Sequence, residues 1–315
     1  VTIRTTRKRT RTAALMSSER FGCIPDRIAA SYLPNRVPNT DRTMLSAGSS
    51  RLLRRRRVPV VWRNRTVHIE YQWIAPERSD APLVVFLHEG LGSLAMWKDF
   101  PERLCRALDC RALVLSRWGY GRSTPRLPHE AWESDFMHRQ AQAFLPAFFQ
   151  ALGIADTRPW LLGHSDGGSI ALLYAAAFPD RVGGLIALAP HIRVEELSLT
   201  SIRQTHADFH APGSPLQAGL AKYHDDVHSA FGGWSGAWLH QDFPQWDIRE
   251  SLDTIRCPVL AIQGEDDAYG TMAQIDGIAE RVPGTRLVKL AHCGHSPHRD
   301  QPQAVIEAVR AFVRG

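Results

Sequence analysis

The sequence predicts an α/β fold: a mostly parallel central sheet flanked by helices, with one helical insertion. Three observations predict it. Six short apolar runs, at 83–88, 111–117, 159–164, 182–190, 258–264 and 285–291, are separated by segments of helical length. That is the pattern of parallel strands buried on both faces and joined by right-handed crossovers. The run at 159–164 leads through a glycine-rich turn into an apolar helix-like stretch. The interval from His191 to Leu252 is far too long for an ordinary crossover and holds several Trp, His and Asp residues, so it is expected to carry structure of its own.

The chain has 315 residues and 44% apolar content, enough for one large α/β domain with an insertion. Its formal charge of +6 would suggest a polyanion-binding protein if it were spread evenly. Residues 1–57, however, hold 14 Lys and Arg against 3 Asp and Glu, leaving the remainder mildly acidic. This basic stretch has too few large apolar side chains to offset the entropy of ordering it, and disorder is expected there. Three readings of it stay open: residues upstream of the true start (Met16 and Met44 both precede the first strand), an organelle-targeting segment, or an electrostatic anchor for nucleic acid or anionic surfaces. Elsewhere no nucleic-acid partner is expected. No run approaches the roughly 18 apolar residues of a membrane span, and a cytoplasmic location is expected.

From Val58 the pattern becomes regular. VPVVW, a polar Arg63-Asn64-Arg65 turn and TVHIEYQW read as an antiparallel hairpin. Helices are expected at 97–108, 132–152, 167–178, 271–282 and 302–312, where apolar residues recur at about 3.6-residue spacing. The expected division is therefore a basic tail 1–57, a core 58–190 and 253–315, and a helical lid 191–252 over the carboxyl ends of the strands. No internal repeat is found.

Cys23, Cys105, Cys110, Cys257 and Cys293 are odd in number and lack CxxC spacing, so free thiols rather than a disulfide framework or zinc knuckle are expected. Cys293 is read as packing, since nothing around it would activate a thiolate. In the insertion, His206 and His210, and His224 and His228, stand four apart with Asp208, Asp225 and Asp226 nearby. Without a third ligand at a recognisable spacing they read as a solvated face, and no metal or other cofactor is expected.

The sharpest motif is Gly163-His164-Ser165-Asp166-Gly167-Gly168, between a buried strand and a helix. In that context G-x-S-x-G is a nucleophile elbow: small residues let the chain turn so tightly that the serine oxygen stands above the sheet. The new helix also aims N–H groups at a developing oxyanion, the first being that of Asp166. A serine hydroxyl needs a base, and the base an orienting acid, later in the chain. Glu265, Asp266 and Asp267 follow one strand; His292 and His295 follow the next.

With Trp118-Gly119-Tyr120-Gly121-Arg122-Ser123 and His88-Glu89-Gly90, these motifs resemble, in order, those of the α/β-hydrolase family over about residues 58–315. The G-x-G string lacks the third glycine of a dinucleotide fingerprint. The resemblance implies Asp267 as the acid and His295 as the base, with Gly90 N–H as the second oxyanion donor and Glu89 N–H as the fallback. It departs from the family at Glu89, which stands where a glycine is usual, so strain is expected in that turn.

Two acids, Glu89 and Asp166, lie close to the expected chemistry and are candidate substrate-binding groups with Trp234 and Trp238; the insertion's aromatics otherwise pack it. The Ser-Asp-Gly-Gly string resembles the biphenyl-hydrolase-like branch of the family, which implies amino-ester recognition as one option for Asp166. The expected function is hydrolysis of a small carboxylic ester or thioester through an acyl-enzyme. Hydrolysis of a C–C bond in a diketone-like compound, or a non-catalytic binding role with the basic tail as anchor, stands as the alternative.

Overall fold

The computed structural model describes residues 55–315; the basic tail, Cys23, Met16 and Met44 lie outside the described residues, apart from its last three residues. Those three correct the expected boundary: the first strand, β1, runs Arg56–Trp62 and so begins inside the basic stretch. It pairs antiparallel with β2 (Arg65–Ile74), with Trp62 opposite Arg65. The connection is the two-residue turn Arg63-Asn64, both at positive φ (48° and 59°), a conformation that matches the twist of the flanking strands.

The six apolar runs form β3 (Leu83–Leu87), β4 (Arg111–Leu115), β5 (Trp160–His164), β6 (Gly184–Leu188), β7 (Val259–Gly264) and β8 (Arg286–Leu290). The sheet order is β1-β2-β4-β3-β5-β6-β7-β8. It is antiparallel at β1, β2 and β4 and parallel from β4 onward. β3, β5, β6 and β7 are buried along nearly their whole length, whereas β8, at the edge, is partly exposed throughout. β8 was expected to be buried on both faces; an edge position leaves it covered from one side only.

The helices follow the expected segments with shifted ends. The 97–108 segment splits at Lys98 (φ 55°) into a short 3-10 turn, Leu94–Trp97, and α1, Phe100–Leu108. The 132–152 segment starts four residues late: α2 (Phe136–Arg139) passes through a π turn (Gln140–Phe144) into α3 (Leu145–Ala151). α4 is Asp166–Ala177. The interval 191–252 is helical as expected, with α5 (Glu196–His210), α6 (Pro215–Leu220) and α7 (Val227–Trp238) followed by two 3-10 turns. Its two ends are held together where Ile248 N–H donates to the Ile192 carbonyl at 2.8 Å. α8 (Ala273–Arg281), α9 (Pro297–Asp300) and α10 (Pro302–Arg314) complete the chain. α9 lies in the loop after the proposed base and carries no apolar periodicity that would announce it.

Two apolar layers sandwich the sheet. One, with Phe100, Leu104, Ile306 and Val309, joins α1 and α10 to one face. The other, with Phe144, Phe148, Ile170 and Ile275, joins α3, α4 and α8 to the opposite face and continues into the insertion through Phe209, Phe231 and Trp238. No helix among the described residues is long and apolar enough to cross a membrane.

Candidate active site

β5 ends at His164, and Ser165 sits at φ 52°, ψ −122° before α4 begins at Asp166. A non-glycine residue tolerates such a conformation only where its surroundings enforce it. Here they do. A Cβ on Gly163 would lie 2.1 Å from the Gly167 carbonyl oxygen, and one on Gly167 would lie 2.0 Å from that of Leu87. Ser165 N–H donates to the Leu188 carbonyl at 2.9 Å, tying the elbow to β6.

The loops after β7 and β8 pack back to back. A Cβ on Gly264 would fall 2.1 Å from the Cys293 carbonyl, and Asp266 N–H donates to that same carbonyl at 2.9 Å. This approach brings Asp267 and His295 together and leaves Glu265, Asp266 and His292 exposed. His295 Nδ1 lies 2.8 Å and 2.9 Å from the two Asp267 carboxylate oxygens, and His295 Nε2 lies 2.9 Å from Ser165 Oγ. Because a carboxylate only accepts, Nδ1 carries the hydrogen and Nε2 is left to accept from the serine.

Each member is held from behind. Asp267 accepts from Tyr269 N–H at 2.8 Å and from Gln263 Nε2 at 3.2 Å. The His295 carbonyl accepts from His164 Nε2 at 2.7 Å. Burial opposes ionisation of Asp267, yet the charge and hydrogen bond of His295, with Tyr269 N–H, hold its carboxyl below the usual range. Burial likewise disfavours a charged His295, but Asp267, with smaller contributions from Glu89 and Asp166, raises it above the ordinary histidine value. The arrangement can take a proton from Ser165 and stabilise the resulting imidazolium.

The flank formed by Glu89, Gly90 and Asp166 is built differently. The expected strain in the His88-Glu89-Gly90 turn is absent: neither Glu89 nor Gly90 has a positive φ. Glycine is required at 90 for space instead, since a Cβ there would fall 2.2 Å from Trp234 Nε1. The Glu89 side chain folds over Gly92, with Oε2 3.5 Å from His164 Nδ1. Burial opposes its ionisation, but His164 and the neighbouring His88 and His298 hold its carboxyl well below the usual range.

Asp166 is buried; its Oδ1 accepts from Trp238 Nε1 of α7 at 3.1 Å, and its Oδ2 has no partner. Burial pushes its carboxyl up to about 6, with Arg117 and Trp238 pulling the other way. The two candidate tryptophans of the insertion therefore reach both expected oxyanion donors, Trp234 at Gly90 and Trp238 at Asp166. Phe231 instead stacks on Phe209, and Trp246 on Phe243.

The remaining candidates play structural parts. His224 receives Gly121 N–H at Nδ1 and donates from Nε2 to the Leu91 carbonyl, pinning the G-x-G loop to the insertion. Asp226 caps α7 and Asp225 pairs with Arg57. No group of three metal-ligating side chains occurs among the described residues. Cys105, Cys110, Cys257 and Cys293 are free and buried, and burial pushes the Cys293 thiol up to about 12.

Several residues at the site escaped sequence reasoning: His88, Arg117, His164, His191 and Gln263. Each follows or ends a strand, or lies inside one as Gln263 does. The one visible signal is a polar or charged side chain in or beside an apolar run, which does not say what it touches.

Comparison with known proteins agrees with this architecture. Residues 84–308 match the family model described as "Alpha/beta hydrolase family". The chain is 30% identical over 248 residues to "Putative carbamate hydrolase RutD" of Pseudomonas savastanoi, covering 72% of this chain and 91% of that protein. It is 28% identical over 240 residues to "Serine hydrolase BPHL" of Mus musculus, covering 74% and 78%. Among solved structures it resembles a thermophilic esterase from Thermogutta terrifontis (TM-score 0.64, 21% identity, 83% of this chain and 98% of that one). It also resembles an enol-lactonase from Burkholderia xenovorans (TM-score 0.63, 20% identity, 82% and 100%). Since the family model spans the elbow, the loops after β7 and β8 and most of the sheet between them, the chain belongs to the α/β-hydrolase family and is a hydrolase.

Proposed function

We propose that the protein hydrolyses a small carboxylic ester or thioester through an acyl-enzyme, with Ser165 as nucleophile, His295 as base and Asp267 as orienting acid. The observation that carries this reading is the continuous chain from Asp267 through His295 to Ser165 Oγ, with both links at hydrogen-bond distance. His295 Nε2 takes the serine proton as Oγ attacks the carbonyl carbon. The resulting oxyanion is received by the N–H groups of Asp166 and Gly90, and the imidazolium returns its proton to the leaving oxygen or sulfur. A water activated by the same histidine then releases the acid. No cofactor enters this scheme. The helical segment 191–252 serves as a lid, with Trp234 and Trp238 closing over the oxyanion donors.

One observation favours a narrower substrate. Asp166 Oδ2 is buried and unpartnered beside Gly90, where a substrate ammonium would satisfy it; amino-acid esters are therefore the second reading. A C–C bond substrate would use the same base and oxyanion hole and differ only in its lid contacts.

The test is hydrolysis of p-nitrophenyl esters from acetate to octanoate by the wild type and by Ser165→Ala. Turnover by the wild type is expected to fall by roughly 10⁴–10⁶-fold in the variant. An active Ser165→Ala enzyme would remove the acyl-enzyme reading. A wild type inert on every ester but active on a vinylogous diketone would move the assignment to C–C hydrolysis.

A further inference from the structure

The Glu89–Gly90 peptide decides whether a second N–H faces the serine. Its carbonyl oxygen accepts from three donors: His88 Nδ1 at 2.7 Å, Arg117 Nη2 at 2.9 Å and Gly92 N–H at 3.1 Å. In a trans peptide the C=O and the following N–H point in opposite directions. Holding the carbonyl on one side therefore aims the Gly90 N–H to the other.

Among these donors Arg117 is the unusual one. It is fully buried, with a relative exposure of 0%. Among the described residues no carboxylate stands at ion-pair distance, and none gives its Nε and Nη1 a hydrogen-bond partner. Its guanidinium lies 4.6 Å from the centre of the Tyr120 ring. A buried cation without a bonded counter-ion is costly, and a well-packed apolar side chain in the same volume is often neutral or better for stability. Stability therefore does not account for it, whereas its position does. It touches the oxyanion turn directly, and its field pulls down the titration of Asp166, the residue after the nucleophile.

We propose that Arg117 is a positioning residue of the oxyanion hole: it clamps the Glu89 carbonyl so that the Gly90 N–H faces Ser165, and its charge offsets that of Asp166 where the oxyanion forms. The inference rests on the ester-hydrolase reading above. It assigns Arg117 no contact with substrate.

Two variants separate clamp from charge. Arg117→Met removes both; Arg117→Lys keeps a cation but loses the planar fork that reaches the carbonyl. Three quantities are read: kcat and KM on the best p-nitrophenyl ester, affinity for an alkylboronic acid whose serine adduct places an oxygen in the hole, and the Asp166 carboxyl titration followed by ¹³C NMR. Arg117→Met is expected to lower kcat roughly 100-fold, the scale of one lost oxyanion donor, with KM within about threefold. It should weaken the boronic acid by a similar factor and move the Asp166 titration upward. Arg117→Lys should restore the titration while recovering little of the kcat.

A folded Arg117→Met enzyme with unchanged kcat and boronic-acid affinity overturns the proposal. So does a Lys variant that recovers full activity, since a clamp would then be unnecessary. If Arg117→Met does not fold, the Lys variant must still lose most of its kcat for the proposal to stand. A wild type that neither turns over esters nor binds the boronic acid overturns the ester-hydrolase reading instead; the Asp166 titration then judges Arg117 separately, and no movement in Arg117→Met rules out its charge role.

Discussion

The two flanks of Ser165 are built on opposite principles. On the side of His295 both carboxylate oxygens of Asp267 and both ring nitrogens of His295 are matched: Asp267 receives the histidine, a backbone N–H and the Gln263 amide, and the His295 carbonyl receives His164; the atoms left over there, Gln263 Oε1 and His164 Nδ1, stand one residue behind the relay. On the side of the oxyanion turn, buried polar atoms are left over among the described residues, chief among them Asp166 Oδ2 and Arg117 Nε. A fully satisfied network fixes one geometry and one proton arrangement, whereas unsatisfied buried groups are costly until something arrives to pair them. Under the proposed reading the relay of the first flank is organised before substrate binds, and the second flank is completed by it. Fixed protein groups hold His295, while the helical insertion, through Trp234 and Trp238, helps to shape the other flank.

The sharpest way to break this comparison is to spoil the satisfied flank. Asp267→Asn presents an amide that can hold His295 in the wrong tautomer, and kcat is expected to drop roughly 10³–10⁴-fold with little change in melting temperature. A drop smaller than tenfold would mean that the relay does not depend on Asp267. In the wild type, activity should rise with pH as His295 loses its proton, with a midpoint above the ordinary histidine value because the carboxylates around it favour the charged form. A kcat/KM profile with its acid limb below pH 6 would contradict this.

The unsatisfied flank predicts the reverse behaviour. Asp166 has a raised carboxyl, from the ordinary 3.8 to about 6, so the folded state binds its proton more tightly than the unfolded state. Its contribution to stability is fully favourable below about pH 4, is lost as pH rises through about 6, and stays lost at neutral pH. Asp166→Asn, which cannot ionise, is therefore expected to raise stability at pH 7 by up to about 3 kcal/mol, and by almost nothing at pH 4. Urea unfolding at the two pH values checks it; equal effects at both would show that the carboxyl is not destabilised. Under the amino-ester reading the same variant should also lose its preference for amino-esters over matched neutral esters.

The smallest effect is expected at the lid contact. Trp238→Phe keeps the ring but removes the N–H that Asp166 Oδ1 accepts, leaving both carboxylate oxygens unpartnered. The Asp166 titration should move further upward, and stability at pH 7 should fall by about 1 kcal/mol, the scale of one typical hydrogen bond. An unchanged titration would detach the lid from this flank and weaken the comparison itself.

Much of this was legible before any coordinates. The six apolar runs became six strands because burial on both faces demands nearly continuous apolar sequence, and Arg63-Asn64 marked its own turn. The elbow was visible because a tight strand-to-helix turn needs glycines at fixed offsets from the serine. By contrast β8 shows how an apolar run can lie at an edge, since position in a sheet is a matter of topology. Arg56 and Arg57 were hidden in a basic stretch, although an edge strand tolerates charge readily.

The distinction among neighbours shows where sequence stops. Glu265, Asp266 and Asp267 are three consecutive acids, and only resemblance to a family selected the third. The back-to-back packing of two loops, permitted by Gly264, is what buries Asp267 against His295 and leaves the others in solvent. The sequence by itself determined the strands, the elbow and the order of chemical groups, because local periodicity and turn chemistry act over a few residues. Only the tertiary structure decided how the relay of Ser165 is satisfied, that Arg117 is buried with no carboxylate at ion-pair distance among the described residues, and that Trp234 and Trp238 of the insertion meet Gly90 and Asp166. Those contacts join residues far apart in the chain, and their energies depend on burial and partner geometry that no local pattern encodes.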